Sequence, residues 1–176
     1  MVSGEALTRI TIWITFLGYT CGSVIFALSR GRRSFDAVTR IVWTVAVIGL
    51  IAHFICAFQY YHSWSHTHAY IETARQTDEV FRVNWGGGLF INYALLALWT
   101  IDVGWWWLSG LDTYRQRSRA SLLAWHSFLI FIIFNATVIF KTGAVRWIGL
   151  VITLCLVIAW VQALTRRADL MAERTS

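Results

Sequence analysis

The chain has 176 residues, of which 57% are hydrophobic and 14% are charged, and its mean hydropathy is +0.58. Soluble domains carry about 25% charged residues, so this composition excludes an ordinary soluble domain. The net charge of +6 does not indicate nucleic-acid binding, because the basic residues fall in short clusters between apolar segments. We therefore expect an all-α, polytopic membrane protein that has the lipid bilayer as its main partner and binds no nucleic acid.

Five apolar segments are long enough to cross a hydrocarbon core of about 30 Å as helices. They cover residues 10–28, 41–61, 88–108, 122–140 and 147–164, and they predict a five-helix bundle that forms one integral membrane domain over residues 1–176. In the first segment Gly18 and Gly22 have the GxxxG spacing that lets another helix approach closely. Packing within the subunit is the simpler interpretation. Homo-oligomerisation through these glycines, or assembly into a larger membrane complex, is the alternative.

The second and third spans are joined by a polar, aromatic and acidic segment, residues 62–87. Its apolar residues recur at near-helical spacing between Ala69 and Phe81, which predicts a short amphipathic helix on the outer face. Three successive glycines, Gly86, Gly87 and Gly88, then end that helix, because glycine loses much backbone entropy in a helix and permits positive φ.

The basic residues predict the orientation of the chain. With the amino terminus outside, the cytoplasmic side receives ten of the fifteen, namely Arg30, Arg32, Arg33, Arg40, Arg115, Arg117, Arg119, Arg166, Arg167 and Arg174. Asp36 lies in the first of these basic stretches, which we expect to be a cytoplasmic loop. The excess predicts an outer amino terminus and a cytoplasmic carboxyl terminus. In a bacterium the protein would lie in the inner membrane.

Three of the five histidines fall within seven residues, at His62, His66 and His68. On a continuous helix His62 and His66 lie one turn apart and can chelate one metal ion. Imidazole is a ligand for zinc, copper or iron. The remaining ligands are expected from His68 or from Glu72. His68 would come close enough only after a helix break near Ser65. The alternative is that these interfacial histidines cap helices and solvate a loop.

A haem is the less favoured cofactor. Two histidines that hold a haem must lie on facing helices at equal depth. His53 is predicted to lie toward the outside and His126 near the inside, so they make a poor axial pair.

Polar residues on both sides of the three glycines suggest an outer pocket beneath the histidines. Asn92 and Tyr93 follow the glycines and are expected to form its floor. Its other members are expected to be His53, Gln76, Asn84 and Trp85. This hypothesis depends on the density of polar and aromatic residues in a short segment. Otherwise the glycines simply make a turn.

Asp102 is the single acid inside an apolar span. An ionised acid at the centre of a bilayer costs about 2.5–3.5 kcal/mol by insertion scales, so it should face the protein interior and have a partner. His126 is expected at the same depth to within about 3 Å, which predicts an Asp102–His126 pair. The pair would either handle protons, since histidine titrates near neutrality, or act as an interhelical clasp worth about 0.6–2 kcal/mol.

Three functions follow from these features. The density of histidine favours a membrane metalloprotein that is redox-linked or enzymatic. The Asp102–His126 pair would suit a small proton-coupled permease, and the small size of the chain would suit a noncatalytic subunit of a larger complex. No nucleotide-binding or hydrolase motif is present in the sequence.

Overall fold

A computed structural model describes residues 3–29 and 32–173, with side chains described as far as Thr165. The helices are α1 (Gly4–Leu28), α2 (Arg33–Ala57), α3 (His66–Phe81), α4 (Gly88–Ser109), α5 (Thr113–Gln116), α6 (Arg119–Phe134) and α7 (Gly143–Glu173). Helix α2 continues as a π-helical turn, Phe58–His62, and α6 continues as a second one, Asn135–Ile139. The described residues contain no β-strand.

Five helical stretches are long and apolar enough to span a membrane. They are Gly4–Leu28, Arg33–His62, Gly88–Ser109, Arg119–Ile139 and Gly143–Thr165. The predicted all-α fold with five spans is therefore confirmed, and the chain is an integral membrane protein. The short amphipathic helix predicted between the second and third spans is also present, as α3.

The first two helices begin earlier than the apolar segments predicted. Helix α1 begins at Gly4, and its first turns carry an ion pair between Glu5 and Arg9, four residues apart. Helix α2 begins at Arg33, so Asp36 lies in a helix and not in the predicted loop. Among the basic residues that predicted the orientation, Arg30 and Arg174 lie outside the described residues, as do the side chains of Arg166 and Arg167.

The chain divides into two compact units, the first formed by residues 1–18 and 43–105 and the second by residues 19–42 and 106–176. In the first unit, α3 packs against the π-helical turn Phe58–His62. Phe58, Ala69 and Leu89 form a buried apolar cluster here, with Phe54 and Tyr93 packed against it. The prediction of a single domain stays a prediction.

In the second unit, α7 packs against α6 and its π-helical turn. Gly149 lies so close to Thr137 that a Cβ atom at this position would collide with the threonine side chain. Helices α1 and α2 also meet in this unit, where the Thr39 hydroxyl lies 3.5 Å from the carbonyl oxygen of Gly22. This contact favours packing of Gly22 within the subunit, and homo-oligomerisation through Gly18 and Gly22 stays a prediction.

Candidate functional site

Residues 58–68, which we call the histidine segment, reverse the chain between α2 and α3. After His62, both Ser63 and Trp64 adopt left-handed backbone conformations, with φ of 48° and 57°. Such values are uncommon for residues other than glycine. Ser65 then caps α3, and its hydroxyl accepts a hydrogen bond of 3.2 Å from the backbone N–H of His68. His62 and His66 therefore belong to different helices, and the predicted chelate on one continuous helix is wrong.

The ring of Phe58 is the centre of this segment. It is buried, and its centroid lies 5.6 Å from that of His62, 5.5 Å from that of His66 and 6.3 Å from that of Tyr93. The chain reversal is held by backbone hydrogen bonds to the carbonyl oxygens of Phe58 and His62. The two imidazoles are thus positioned around an apolar ring rather than displayed on a mobile loop.

The reversal brings His62 next to His68. Their ring centroids are 5.7 Å apart and the ring planes are nearly perpendicular, at 83°. Two imidazoles that share one metal ion, with metal–nitrogen bonds of about 2.0–2.1 Å, place their centroids about 5–6 Å apart. The Nδ1 atom of His62 is buried and has no hydrogen-bond partner among the described residues. These features are compatible with two ligands of one ion.

Glu72 lies one helical turn after His68 on α3, on the same face. Its carboxylate accepts hydrogen bonds from Arg75, at 2.6 and 2.9 Å, and from Gln76, at 2.9 Å. The hydrogen bonds from Arg75, and then that from Gln76, lower the pKa of Glu72 from 4.5 to about 2. The carboxylate is therefore ionised at neutral pH, and it interacts electrostatically with His62.

The predicted ligands His62, His66, His68 and Glu72 are only partly brought together. Within the part of the chain that the structure describes, no group of three histidine, cysteine or acidic side chains is arranged to hold a metal ion. His62 and His68 are neighbours, Glu72 is bound to Arg75 and Gln76, and His66 has a partner on α4. A third ligand from the protein would require Glu72 to move from Arg75.

His66 pairs with Tyr93. The Tyr93 hydroxyl lies 2.8 Å from Nδ1 of His66, and the two rings meet edge to face at 5.7 Å. Both side chains line a groove of about 610 Å³, whose other lining residues are Ile51, Leu96, Ala97, Thr100 and Ile101. Tyr93 was predicted as the floor of a polar pocket, but the side chains that line this groove expose mainly apolar surface to it.

The remaining residues predicted for the outer pocket are dispersed. His53 donates a hydrogen bond of 3.0 Å from Nδ1 to the carbonyl oxygen of Thr8 on α1. Asn84 lines a second cavity, of about 340 Å³, beside Tyr70 and Arg75 on α3. The others have separate environments: Gln76 is bonded to Glu72, the indole of Trp85 lies against Gly87, and Asn92 is exposed.

His126 occupies a very different environment in the second unit. It is fully buried, with Nδ1 at 2.7 Å from the Tyr19 hydroxyl and Nε2 at 3.0 Å from the Tyr114 hydroxyl. Its ring stacks on Trp160 with 3.4 Å between centroids. A neutral imidazole has one donor and one acceptor nitrogen, so one tyrosine donates and the other accepts. Asp102 is buried in the first unit, and the Asp102–His126 pair stays a prediction, as does a haem.

A buried ion pair near the start of α2 was missed by the sequence analysis. Asp36 is 1% exposed and accepts hydrogen bonds of 2.6 and 2.5 Å from the guanidinium of Arg115. The same guanidinium bonds to the hydroxyl of Ser29 and lies over the ring of Phe26, 4.2 Å from its centroid. Asp36 had been expected in a cytoplasmic loop, and Arg115 had been counted among the basic residues that predict the orientation. The ion pair accounts for the burial of Asp36, because the charge has a partner.

Comparisons with protein-family models, with curated proteins and with solved structures find no match for this chain. Its own side chains, above all those of the histidine segment, are therefore the basis for proposing a function.

Proposed function

We propose that this chain is a membrane metalloprotein that binds one transition-metal ion through His62 and His68, near the outer membrane surface. The observation that supports the proposal is the perpendicular approach of the two imidazoles, 5.7 Å between centroids, beside a buried Nδ1 atom with no hydrogen-bond partner among the described residues. The excess of basic residues on the opposite side supports an outer location.

The chemistry of the two side chains suits a metal better than a hydrogen-bond network. Neither the His62 nor the His68 ring makes a hydrogen bond with the described residues, so their ring nitrogens are available as ligands. Neutral imidazole binds zinc, copper and iron. The ionised carboxylate of Glu72, which interacts with His62, adds negative charge that favours a cation.

Glu72 is the third protein ligand in this proposal, after it leaves Arg75. Two imidazoles and one carboxylate form a ligand set found in catalytic zinc and non-haem iron sites, where the remaining positions are open to water or substrate. The proposal therefore includes an enzymatic or redox-linked role, whose type depends on the metal bound.

The test is metal binding by the full chain, purified in detergent, stripped with a chelator and titrated with Zn²⁺ or Cu²⁺. We expect one ion per chain, and Cu²⁺ paramagnetic resonance should show coupling to two imidazole nitrogens. His62→Ala/His68→Ala should lose the ion. His66→Ala is the matched control and should keep it, because the structure pairs His66 with Tyr93. Absence of binding under these conditions, or equal binding by the double variant, would overturn the proposal.

Two other outcomes would support the alternatives. A pH-dependent flux in proteoliposomes that disappears in Asp102→Asn would favour a proton-coupled permease. A stable partner that co-purifies with a chain free of metal would favour a noncatalytic subunit of a larger membrane complex.

A further inference from the structure

One face of α3 carries a row of polar side chains that begins at the proposed metal site. His68, Glu72, Arg75 and Glu79 follow one another at intervals of three or four residues, so they lie one helical turn apart along this face. The arginine lies between the two carboxylates. The row therefore places a cation one turn beyond Glu72, the side chain that the proposed metal site needs as its third ligand.

Arg75 binds both oxygens of the Glu72 carboxylate. Its Nε–H donates to Oε2 at 2.9 Å and its Nη2–H donates to Oε1 at 2.6 Å, so the guanidinium makes two parallel hydrogen bonds. The amide of Gln76 donates a third, of 2.9 Å, to Oε1. A carboxylate has about four lone-pair positions, and these hydrogen bonds use most of them. In this arrangement the described residues contain no group of three potential metal ligands.

Glu79 gives Arg75 a second anionic partner. Nη1 of Arg75, the terminal nitrogen that does not bond to Glu72, forms an ion pair with Oε1 of Glu79. The Glu79 side chain is 60% exposed, whereas that of Glu72 is 31% exposed. The guanidinium can therefore release Glu72 and keep an ion pair at the solvated end of the row, so its charge does not become unpaired.

A metal ion and the Arg75 guanidinium require the same oxygens of Glu72. A metal ion held by His62 and His68 gains a third protein ligand only when the two parallel hydrogen bonds from Arg75 open. Because exposed ion pairs contribute little free energy, opening this one should lower the metal affinity by only about threefold to fivefold. Competition of this size adjusts metal binding without preventing it.

We infer that Arg75 is an internal competitor that regulates metal binding. While it holds Glu72, the metal site has two imidazole ligands. Metal binding transfers the Glu72 carboxylate from Arg75 to the ion and leaves Arg75 with Glu79. The inference rests on the proposed function and assigns a means of regulation to that same site. It requires that the wild-type chain bind its metal less tightly than the three ligands alone would.

The first experiment measures the Zn²⁺ affinity of the full chain in detergent. Arg75→Gln removes the competitor and should tighten binding about threefold to fivefold. Arg82→Gln is the matched control, because Arg82 is an exposed arginine at the end of α3, about 15 Å along the helix from Glu72. Over that distance its charge is largely screened, so the affinity should change by less than about 1.5-fold.

A Glu72→Gln background separates competition from simple repulsion between the ion and the guanidinium. Repulsion does not involve the carboxylate, so it would make Glu72→Gln/Arg75→Gln bind Zn²⁺ more tightly than Glu72→Gln by the same factor as in the wild type. Competition requires the carboxylate, so the gain should disappear in this background. An equal gain in both backgrounds would overturn the inference.

The Nε–H resonance of Arg75 reports the exchange directly, because this group donates to Glu72 in the metal-free chain. It is assigned by its loss in Arg75→Gln. Saturating Zn²⁺, which is diamagnetic, should move it toward its position in Glu72→Gln. An unmoved resonance, or an unchanged affinity in Arg75→Gln, with Zn²⁺ still bound through His62 and His68, would overturn the inference and leave the proposed function intact. Absence of Zn²⁺ binding by the wild type would overturn both.

Discussion

The histidines of the two units differ in how completely the protein uses their nitrogens. In the second unit, both nitrogens of His126 meet tyrosine hydroxyls and the ring stacks on Trp160. In the first unit, His62 has a buried nitrogen with no partner among the described residues, although another imidazole lies beside it. A histidine with both nitrogens bonded contributes to stability, whereas an incompletely bonded pair can bind a ligand. The comparison therefore supports the proposal that the first unit binds a ligand, whereas His126 contributes to the stability of the second unit.

The largest effect is expected for Arg115→Ala. The substitution leaves Asp36 buried, with its side chain 2% exposed and its ionic partner removed. Loss of one partner from a buried ion pair costs about 3–5 kcal/mol, and we expect about 3 because the guanidinium itself is partly exposed. The measurement is reversible unfolding in mixed detergent micelles. Arg119→Ala, at an exposed position on α6, is the control and should change the free energy of unfolding by less than about 0.5 kcal/mol.

His126→Phe should destabilise the protein by about 2 kcal/mol, because two buried tyrosine hydroxyls each lose one hydrogen bond. The phenyl ring preserves an aromatic contact with Trp160. Removing both hydroxyls as well, in Tyr19→Phe/His126→Phe/Tyr114→Phe, should recover part of the loss. Metal binding should be unchanged in either variant. If His126→Phe lost metal binding but not stability, the comparison between the units would be wrong.

Ser65→Ala should cost about 1 kcal/mol, the usual value for loss of a helix cap. The hydroxyl of Ser65 holds the backbone of His68, so metal binding should also weaken by about fivefold. Ser118→Ala is a matched control, because the Ser118 hydroxyl caps α6 through Ser121 in the same way, at 3.1 Å. Its unfolding cost should be similar and its metal affinity unchanged. Equal metal affinities in Ser65→Ala and Ser118→Ala would show that the Ser65 cap does not affect the metal site.

The smallest effect is the pH dependence of α3. The pKa of Glu72 is about 2 in the folded protein and 4.5 otherwise, so its contribution is fully present above pH 4.5 and is lost as the pH falls toward 2. Because the Glu72–Arg75 pair is exposed, we expect only about a twofold fall in amide-exchange protection of α3. Glu72→Gln should show no such pH dependence. If amide-exchange protection still falls with pH in Glu72→Gln, another acid is responsible for the pH dependence.

The sequence was sufficient to predict the helices that depend on a local pattern of residues. Long uncharged runs predicted the five spans, and the spacing of apolar residues predicted α3, because both follow from helical geometry alone. The start of α2 was not predictable in this way. Asp36 is removed from water by Arg115, which lies 79 residues later in the sequence.

The histidine segment was recognised but its geometry was not. The reversal occurs at Ser63 and Trp64, and neither is a glycine or an asparagine that would indicate a left-handed backbone. The main interpretation therefore paired His62 with His66 on one helix, and a helix break near Ser65 was considered only as a way to add His68. Tyr19 and Tyr114 were not among the residues that the sequence pattern singled out, because their contacts with His126 join separate helices.

Phe58 is a common neighbour of the proposed metal site and of the His66–Tyr93 pair, since its ring lies beside His62, His66 and Tyr93. Any shift of this ring that accompanies metal binding must be accommodated by the His66–Tyr93 pair, because close-packed side chains have no free space between them. Thermodynamic linkage then requires reciprocity: if metal binding changes the free energy of the His66–Tyr93 hydrogen bond, a change in that hydrogen bond alters the free energy of metal binding by the same amount. A single phenyl ring would thereby link metal binding at His62 and His68 to a hydrogen bond made by α4.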